Sequence, residues 1–481
     1  MRTSRLLLPR AELLVPASGA AATLFAAYLS VAMGLKIGFG LVLLVSLFVG
    51  SVLGFLLAPH VMVAIMIPVF ALIPAAKIFV SSQIGPLKDL LSVAAIVVTA
   101  AILVLERRPG RERALPDSRV LLAVGFLLGL YVVNVGSGHN IAWAQGVRLI
   151  GEPLLLLVAG LTLPNPRRTL RVAVPMLLAT GCFEALYGLF QQAVGPWKLQ
   201  SYSHGGYSFA TNLRTYHGHL RSFGTMSDPF GYGAFLLFGV VAVLFWMKRG
   251  PLAAACGALL VAGVAVSYER TAILIVIALL GLWIGRKGYT TSAVLVTAAA
   301  IASAGAILVT STGASETTSY ESQTSSLTLN GRVSAWNAAL GSPRNWPLGQ
   351  GVGEVGTAAQ RATFTLAPGA QAAEPTRAVD SGYLATIADV GLVGLAVLLA
   401  LFGRLIALGR SALIRAGPGR RRAAWGALGL LAVLLLDAVT RSSFTGFPTA
   451  FLGLFLIGLT LAAAGPAEDP AHGEPAAGSQ R

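Results

Sequence analysis

The sequence predicts an all-α polytopic membrane protein of about fourteen transmembrane helices, and three observations lead there. First, 55% of the 481 residues are hydrophobic and only 11% charged, with a mean hydropathy of +0.75. That inventory holds too few polar side chains to cover a water-soluble surface. Second, apolar runs long enough to cross a hydrocarbon core of about 30 Å recur from Ala20 to Ala464. Third, basic clusters fall at every second connection between those runs.

In chain order the expected spans are 18–34, 39–58, 61–80, 89–105, 119–136, 146–163, 172–194, 229–247, 251–267, 271–285, 291–310, 382–405, 425–442 and 447–464. The first has no short apolar core followed by a small-residue cleavage site, so it reads as a retained helix rather than a signal peptide. The spans form one membrane domain, 18–465, after an N-terminal segment at 1–17. The tail at 466–481, rich in Pro, Ala, Gly and Glu, cannot bury enough apolar surface to fold alone and is expected to be disordered.

Orientation follows from the cations, because Lys and Arg beside short loops stay cytoplasmic. The clusters are Arg2/Arg5/Arg10, Arg107/Arg108/Arg111/Arg113, Arg167/Arg168/Arg171, Lys248/Arg249, Arg286/Lys287, and Arg404/Arg410/Arg415 with Arg420/Arg421/Arg422. They place both termini inside and export the two longest hydrophilic loops, 195–228 and 311–381, the second just before the twelfth span. The net charge of +16 lies mostly in these clusters, which face anionic headgroups, so a nucleic-acid partner is not expected. Cys182 and Cys256 both fall inside expected helices and read as small buried residues, not as a disulfide or metal pair.

Ionisable residues within spans are few. Glu184 is the deepest acid without an obvious partner, and it suits either a functional carboxylate or a hydrogen-bonded packing residue. Glu152 with Arg148, and Asp437 with Arg441, stand four residues apart on one helix face and are expected to pair. His139 reads as a turn residue, and His217 and His219 as surface histidines, since a third metal ligand is lacking. No metal and no cofactor are expected.

The exported side is richer. Asp228 followed by Pro229 reads as an N-cap and first helical position, with Gly231 and Gly233 allowing close approach one turn on. Arg221, Arg270 and Arg332 occupy comparable places at the outer boundary, where retention rules disfavour arginine; a phosphate-bearing ligand would give them a reason. Taken singly, each is equally an ordinary loop charge or, for Glu269 and Arg270, a surface pair. Asp380, at the mouth of a long helix, reads as an N-cap or as a general base for an acceptor hydroxyl. Asp389 lies on roughly the opposite face of that helix and is expected to make a separate buried contact. The run Pro347 to Gly353 is a glycine turn with no preceding strand, so a nucleotide loop is not expected there.

These segments resemble, in order across roughly residues 180–445, the O-antigen ligase and O-antigen polymerase superfamily of bacterial surface-polysaccharide enzymes. Arg221-Ser222-Phe223-Gly224-Thr225 with Asp228-Pro229 and Gly233 looks like its Arg-x-x-Gly-Thr segment. Ser267 to Arg270-Thr271 looks like its short Ser-x-x-Arg turn. Gly331-Arg332 with Trp336, then Pro347-Leu348-Gly349 and Gly351, resembles its Arg-x-x-x-Trp segment and following glycine turn. Asp380 through Gly391 resembles the end of its long periplasmic loop.

The resemblance implies a C-type glycosyltransferase-like helical fold in the bacterial inner membrane. Its donor would be an undecaprenyl-pyrophosphate-linked glycan, and its acceptor a hydroxyl on a glycan or lipid, with membrane lipids and other polysaccharide-assembly proteins as further partners. Neither a nucleotide sugar nor a metal is implied. Arg221 and Arg270 would stabilise the departing pyrophosphate while Asp380 takes the acceptor proton, giving inversion. Arg332, Arg214, Trp336 and Tyr383 would bind substrate. Ligases carry His where Asp380 stands and commonly Asn where Ser381 stands, which favours a polymerase slightly. A transporter or flippase of lipid-linked glycans, using Glu184, is the competing expectation, and a scaffold of a secretion complex the third.

Overall fold

In a computed structural model of the protein, the residues described are 35–80, 84–105, 116–136, 140–195, 219–286, 345–356 and 381–465 apart from 416, with short pieces at 203–204, 207–208, 215–216, 337, 340–341, 358–359 and 379. Twelve long helices are found among them: α1 (Leu35–Leu57), α2 (Pro59–Phe79), α3 (Pro86–Leu105), α4 (Ser118–Val133), α5 (Asn140–Thr162), α6 (Pro166–Val194), α7 (Pro229–Phe245), α8 (Pro251–Val266), α9 (Arg270–Gly285), α10 (Gly382–Arg415), α11 (Pro418–Asp437) and α12 (Thr449–Ala464). Each falls on an expected span. The spans 18–34 and 291–310, the N-terminal segment, most of loop 311–381 and the tail lie outside the described residues.

Five of the helices are long and apolar enough to cross a membrane, and six shorter ones are apolar. Large apolar side chains stand on the outside of the bundle, among them Leu122, Val133, Phe183 and Ile414. A water-soluble protein would have placed polar groups there, so this is a multi-pass helical membrane protein.

Local chemistry sets the helix starts. Proline occupies the first turn of α2, α6, α7, α8 and α11, where its missing N–H has no intrahelical partner to lose. Asp117 caps α4 by accepting from the Arg119 N–H at 2.9 Å. As expected, Asp228 caps α7, accepting from Gly231 N at 2.7 Å. One span ends early: α11 stops at Asp437 and not near 442, because the carbonyls of Ala438 and Arg441 turn to Gly382 N at 2.9 and 2.7 Å. Arg441 is thus a turn residue beyond the helix, although it still meets Asp437.

Helices α7 and α12 form the centre and are buried on nearly all sides, as helices apolar all round must be. Helix α12 packs on α5, α11 and α6, while α7 packs on α6, α8, α9 and α11. The α5–α12 seam is close enough that a Cβ on Gly160 would lie 2.2 Å from Phe455 O, and one on Gly458 2.2 Å from Leu157 O. Small residues let two backbones touch there, which suits membranes, where packing and not water exclusion drives association. Two hairpins of two-residue strands, Ser203–His204 with Tyr207–Ser208 and Thr215–Tyr216 with His219–Leu220, lie between α6 and α7.

Candidate functional site

Arg221 is placed by side chains of α6. Gln191 Oε1 accepts from Phe223 N at 3.1 Å and Gly224 N at 2.9 Å, and its Nε2 donates to Gly224 O at 2.8 Å. Glu184 accepts from Thr225 N at 2.8 Å and from the Thr225 hydroxyl. Gln192 donates to Leu220 O at 2.5 Å and Ser222 Oγ at 2.8 Å, and Ser222 N reaches Val266 O at 3.0 Å. Gly224 has φ 59°, and a Cβ there would sit 2.3 Å from Glu184 Oε2. The glycine and threonine after Arg221 thus have structural reasons. Glu184 is a fully buried brace under the Arg221 turn, which was not visible in the sequence because its partner lies 41 positions away.

So held, Arg221 reaches the turn between α8 and α9. Its Nε donates to Ser267 O at 3.2 Å, and its Nη2 to Tyr268 O at 3.4 Å and Glu269 Oε2 at 2.9 Å. Glu269 thus meets Arg221 across the turn, a partner that the sequence did not suggest. The turn is tight: Ser267 Oγ donates to Val264 O at 2.6 Å and accepts from Glu269 N at 3.1 Å, while Tyr268 adopts φ 49°. Exposed His219 stacks on Tyr268 at 6.1 Å. Arg270, half-buried, opens α9, and Thr271 Oγ1 lies 2.9 Å from Thr440 Oγ1.

The turn after α11 closes the site. Arg441 donates to Phe230 O at 2.7 Å and to Asp437 Oδ2 at 3.1 Å, and stands 3.8 Å from Asp228 Oδ1. Burial opposes its charge, but the carboxylates of Asp437, Asp228 and Glu269 outweigh that and hold its pKa above the ordinary arginine value. Arg221 and Arg441 both lie against the Phe230 ring, 4.9 and 5.5 Å from its centroid. The same turn binds the segment before α10: Ser442 Oγ donates to Val379 O at 2.7 Å, and Ser381 Oγ to Ala438 O at 3.3 Å. Tyr383 uses its hydroxyl on Leu435 O at 2.8 Å and its ring edge on Phe444.

Three separated segments, 221–233, 267–271 and 381–383 with Val379, therefore meet at one end of the bundle around the 438–446 turn. Arg221, Arg270 and Tyr383 are among the described residues; Asp380, Arg332, Arg214 and Trp336 lie outside them. The sequence did not single out Arg441 for this place, since its spacing from Asp437 looked like ordinary helical pairing.

The glycine turn is a strap on the same end. Gly349, Gly351 and Gly353 have φ of 83°, 112° and 90°, and the strap bonds from Val352 N to Asn134 O at 3.0 Å and from Gln350 N to Ala388 O at 2.7 Å. Asn134 Nδ2 donates to Leu348 O at 2.8 Å and Asp389 O at 2.5 Å. Asp389 is enclosed between Tyr131 and the strap, apart from the arginines, as expected. Arg148 pairs with Glu152 at 2.7 Å, as expected, and also with Asp89, which meets Lys88. Cys182 and Cys256 are free thiols. Among the described residues, no three His, Cys, Asp or Glu side chains gather as a metal site. No protein-family model matches the chain, and no curated protein matches it.

Proposed function

We propose that the chain transfers an undecaprenyl-pyrophosphate-linked oligosaccharide to an acceptor hydroxyl on the outer side of the bacterial inner membrane, in surface-polysaccharide assembly. This reading takes the fold as C-type glycosyltransferase-like with fourteen spans and both termini cytoplasmic. The observation that carries it is the meeting of the Arg221 turn, the Ser267–Arg270 turn and the residues Val379, Ser381 and Tyr383 at one end of the bundle, since these belong to segments that the family resemblance singles out. The attacking hydroxyl forms a bond to the anomeric carbon as the bond to pyrophosphate breaks. Arg221 and Arg270 stabilise the charge on the leaving oxygen, and Asp380 takes the proton. Aspartate in place of the ligase histidine favours polymerisation over ligation.

The test is purified protein with a lipid-pyrophosphate oligosaccharide, read for released lipid pyrophosphate and for product length. A ladder means polymerase and a single transfer means ligase. Arg221→Ala is expected to lower turnover by about 10²-fold or more, the usual loss when a transition-state donor is removed. In cells, lipid-linked repeats should still reach the outer face in Arg221→Ala, Arg270→Ala and Asp380→Ala variants. If the variants trap the repeats on the cytoplasmic face, the chain is a transporter and the transferase reading fails. The bonds from Glu184 to Thr225 favour the transferase, because they occupy the carboxylate a transporter would need.

A further inference from the structure

Arg221 already holds an anion that the chain itself supplies. Glu269 meets it at 2.9 Å, with the side chains 6% and 12% exposed respectively, so the pair is largely withdrawn from solvent screening. Around Arg221 and Arg441 stand three carboxylates: Glu269, Asp228 and Asp437. Among the described residues, these two guanidinium groups face three carboxylates, and Arg270 beside Glu269 brings the count only to neutrality, so an incoming phosphate meets no net positive charge. Withdrawal of a carboxylate, or entry of a cation with the ligand, would favour binding of an anion here.

The three carboxylates differ in how they are held. Asp228 caps α7 through Gly231 N at 2.7 Å. Asp437, 2% exposed, accepts from Ser443 Oγ at 2.5 Å as well as from Arg441. Glu269 stands instead on a three-residue turn whose middle residue, Tyr268, is a non-glycine at φ 49°. Such a residue is strained by roughly 1–2 kcal/mol, and release of that strain would offset part of the cost of moving the turn.

We propose that Glu269 is a resident stand-in that a pyrophosphate headgroup displaces: the ligand's oxygens take the carboxylate's place on Arg221, and the Ser267–Arg270 turn carries Glu269 aside. This rests on the reading of the site as one for a lipid pyrophosphate. Exchange of one anion for another avoids building up uncompensated negative charge around Asp228 and Asp437. It also favours a ligand with several anionic oxygens, which can engage the guanidinium fork through two bonds, over a singly charged one.

The test is calorimetric titration of the full-length protein in detergent with inorganic pyrophosphate, with and without Mg²⁺. Glu269→Gln, which keeps the shape and an acceptor for Arg221, is expected to bind pyrophosphate about tenfold tighter than wild type in the absence of Mg²⁺, and adding Arg221→Ala should abolish the gain. Glu269→Asp should fall between the two, and it decides the matter alone if the Gln variant does not fold. Unchanged or weaker binding in these variants overturns the proposal. So does wild-type binding that requires Mg²⁺ and is lost in Glu269→Gln, because the carboxylate would then be holding a cation. A gain in pyrophosphate affinity without glycan transfer leaves the exchange standing and removes the transferase reading. Glycan transfer with no gain in affinity does the reverse.

Discussion

Gln191 decides whether Arg221 is held or loose. Its amide serves two N–H groups and one carbonyl of the Phe223–Gly224 turn, and all of these atoms are buried. Gln191→Leu would leave three main-chain groups without partners in an apolar surround, so it is expected to lower stability by roughly 3 kcal/mol or more, visible as a fall in melting temperature in detergent. Arg221→Lys should separate the two effects. The ammonium keeps the charge beside Glu269 but loses the fork that also reaches Ser267 O and Tyr268 O, so the melting temperature should fall less than in Gln191→Leu while turnover falls about 10²-fold. A parallel loss of both quantities would make Arg221 a structural residue only. Arg221 stood out in the sequence because an arginine at a boundary expected to be exported lacks a retention role. Glu184 and Arg441 were less legible: burial next to a distant threonine, and a helix that ends one turn early, are facts of the folded chain and not of local spacing.

At the scale of single elements, α10 is not one straight helix. Gly391 has φ 72° and ψ −170° within it, and a Cβ there would lie 2.2 Å from Pro347 O. The kink receives the strap, with Leu392 N bonding Trp346 O at 2.7 Å. Gly391→Ala is therefore expected to cost about 1–3 kcal/mol and to loosen the strap first, seen as faster amide exchange in 345–356 while α7 and α12 keep their protection. Exchange that stays slow in the strap would mean that the kink does not depend on it. The apolar run from 382 onward revealed the helix but not its kink, since both halves are equally apolar. The cap of α4 makes a pH prediction. Arg404 of α10 hydrogen-bonds Asp117 and holds its carboxyl below the ordinary value. A carboxylate with a depressed folded pKa stabilises above its unfolded pKa and loses that contribution as pH falls through the lower folded value. The stability difference between wild type and Asp117→Asn should be present at neutral pH and vanish only below the usual carboxylate range; a difference independent of pH would mean that the charge plays no part.

The whole molecule has two chemically different ends. One carries Arg221, Asp228, Glu269 and Arg441 among carboxylates and strained turns. At the other, Arg249 and Arg286 lie over the Trp283 ring at 5.3 and 5.5 Å, Arg286 feels the charges of Arg249 and Arg422, and Arg167 donates to Ala463 O at 3.3 Å. Helix positions were legible because each span must be a long apolar run whatever it packs against, whereas the meeting of segments more than 150 residues apart depends on shape complementarity that no local pattern encodes. The charge asymmetry gives the last prediction. Cations retained on the cytoplasmic side would put the arginine–carboxylate end outside. In a background with Cys182 and Cys256 changed to Ala, cysteines at exposed Leu348 and Val439, on the site end, should react with a membrane-impermeant maleimide added to intact cells. Cysteines at exposed Leu252 and Ile414, on the basic end, should react only after permeabilisation. The opposite pattern would place the arginines in the cytoplasm, where a lipid-linked glycan awaiting assembly outside could not reach them. Transfer on the outer face would then be impossible for this chain, however well Arg221 binds pyrophosphate.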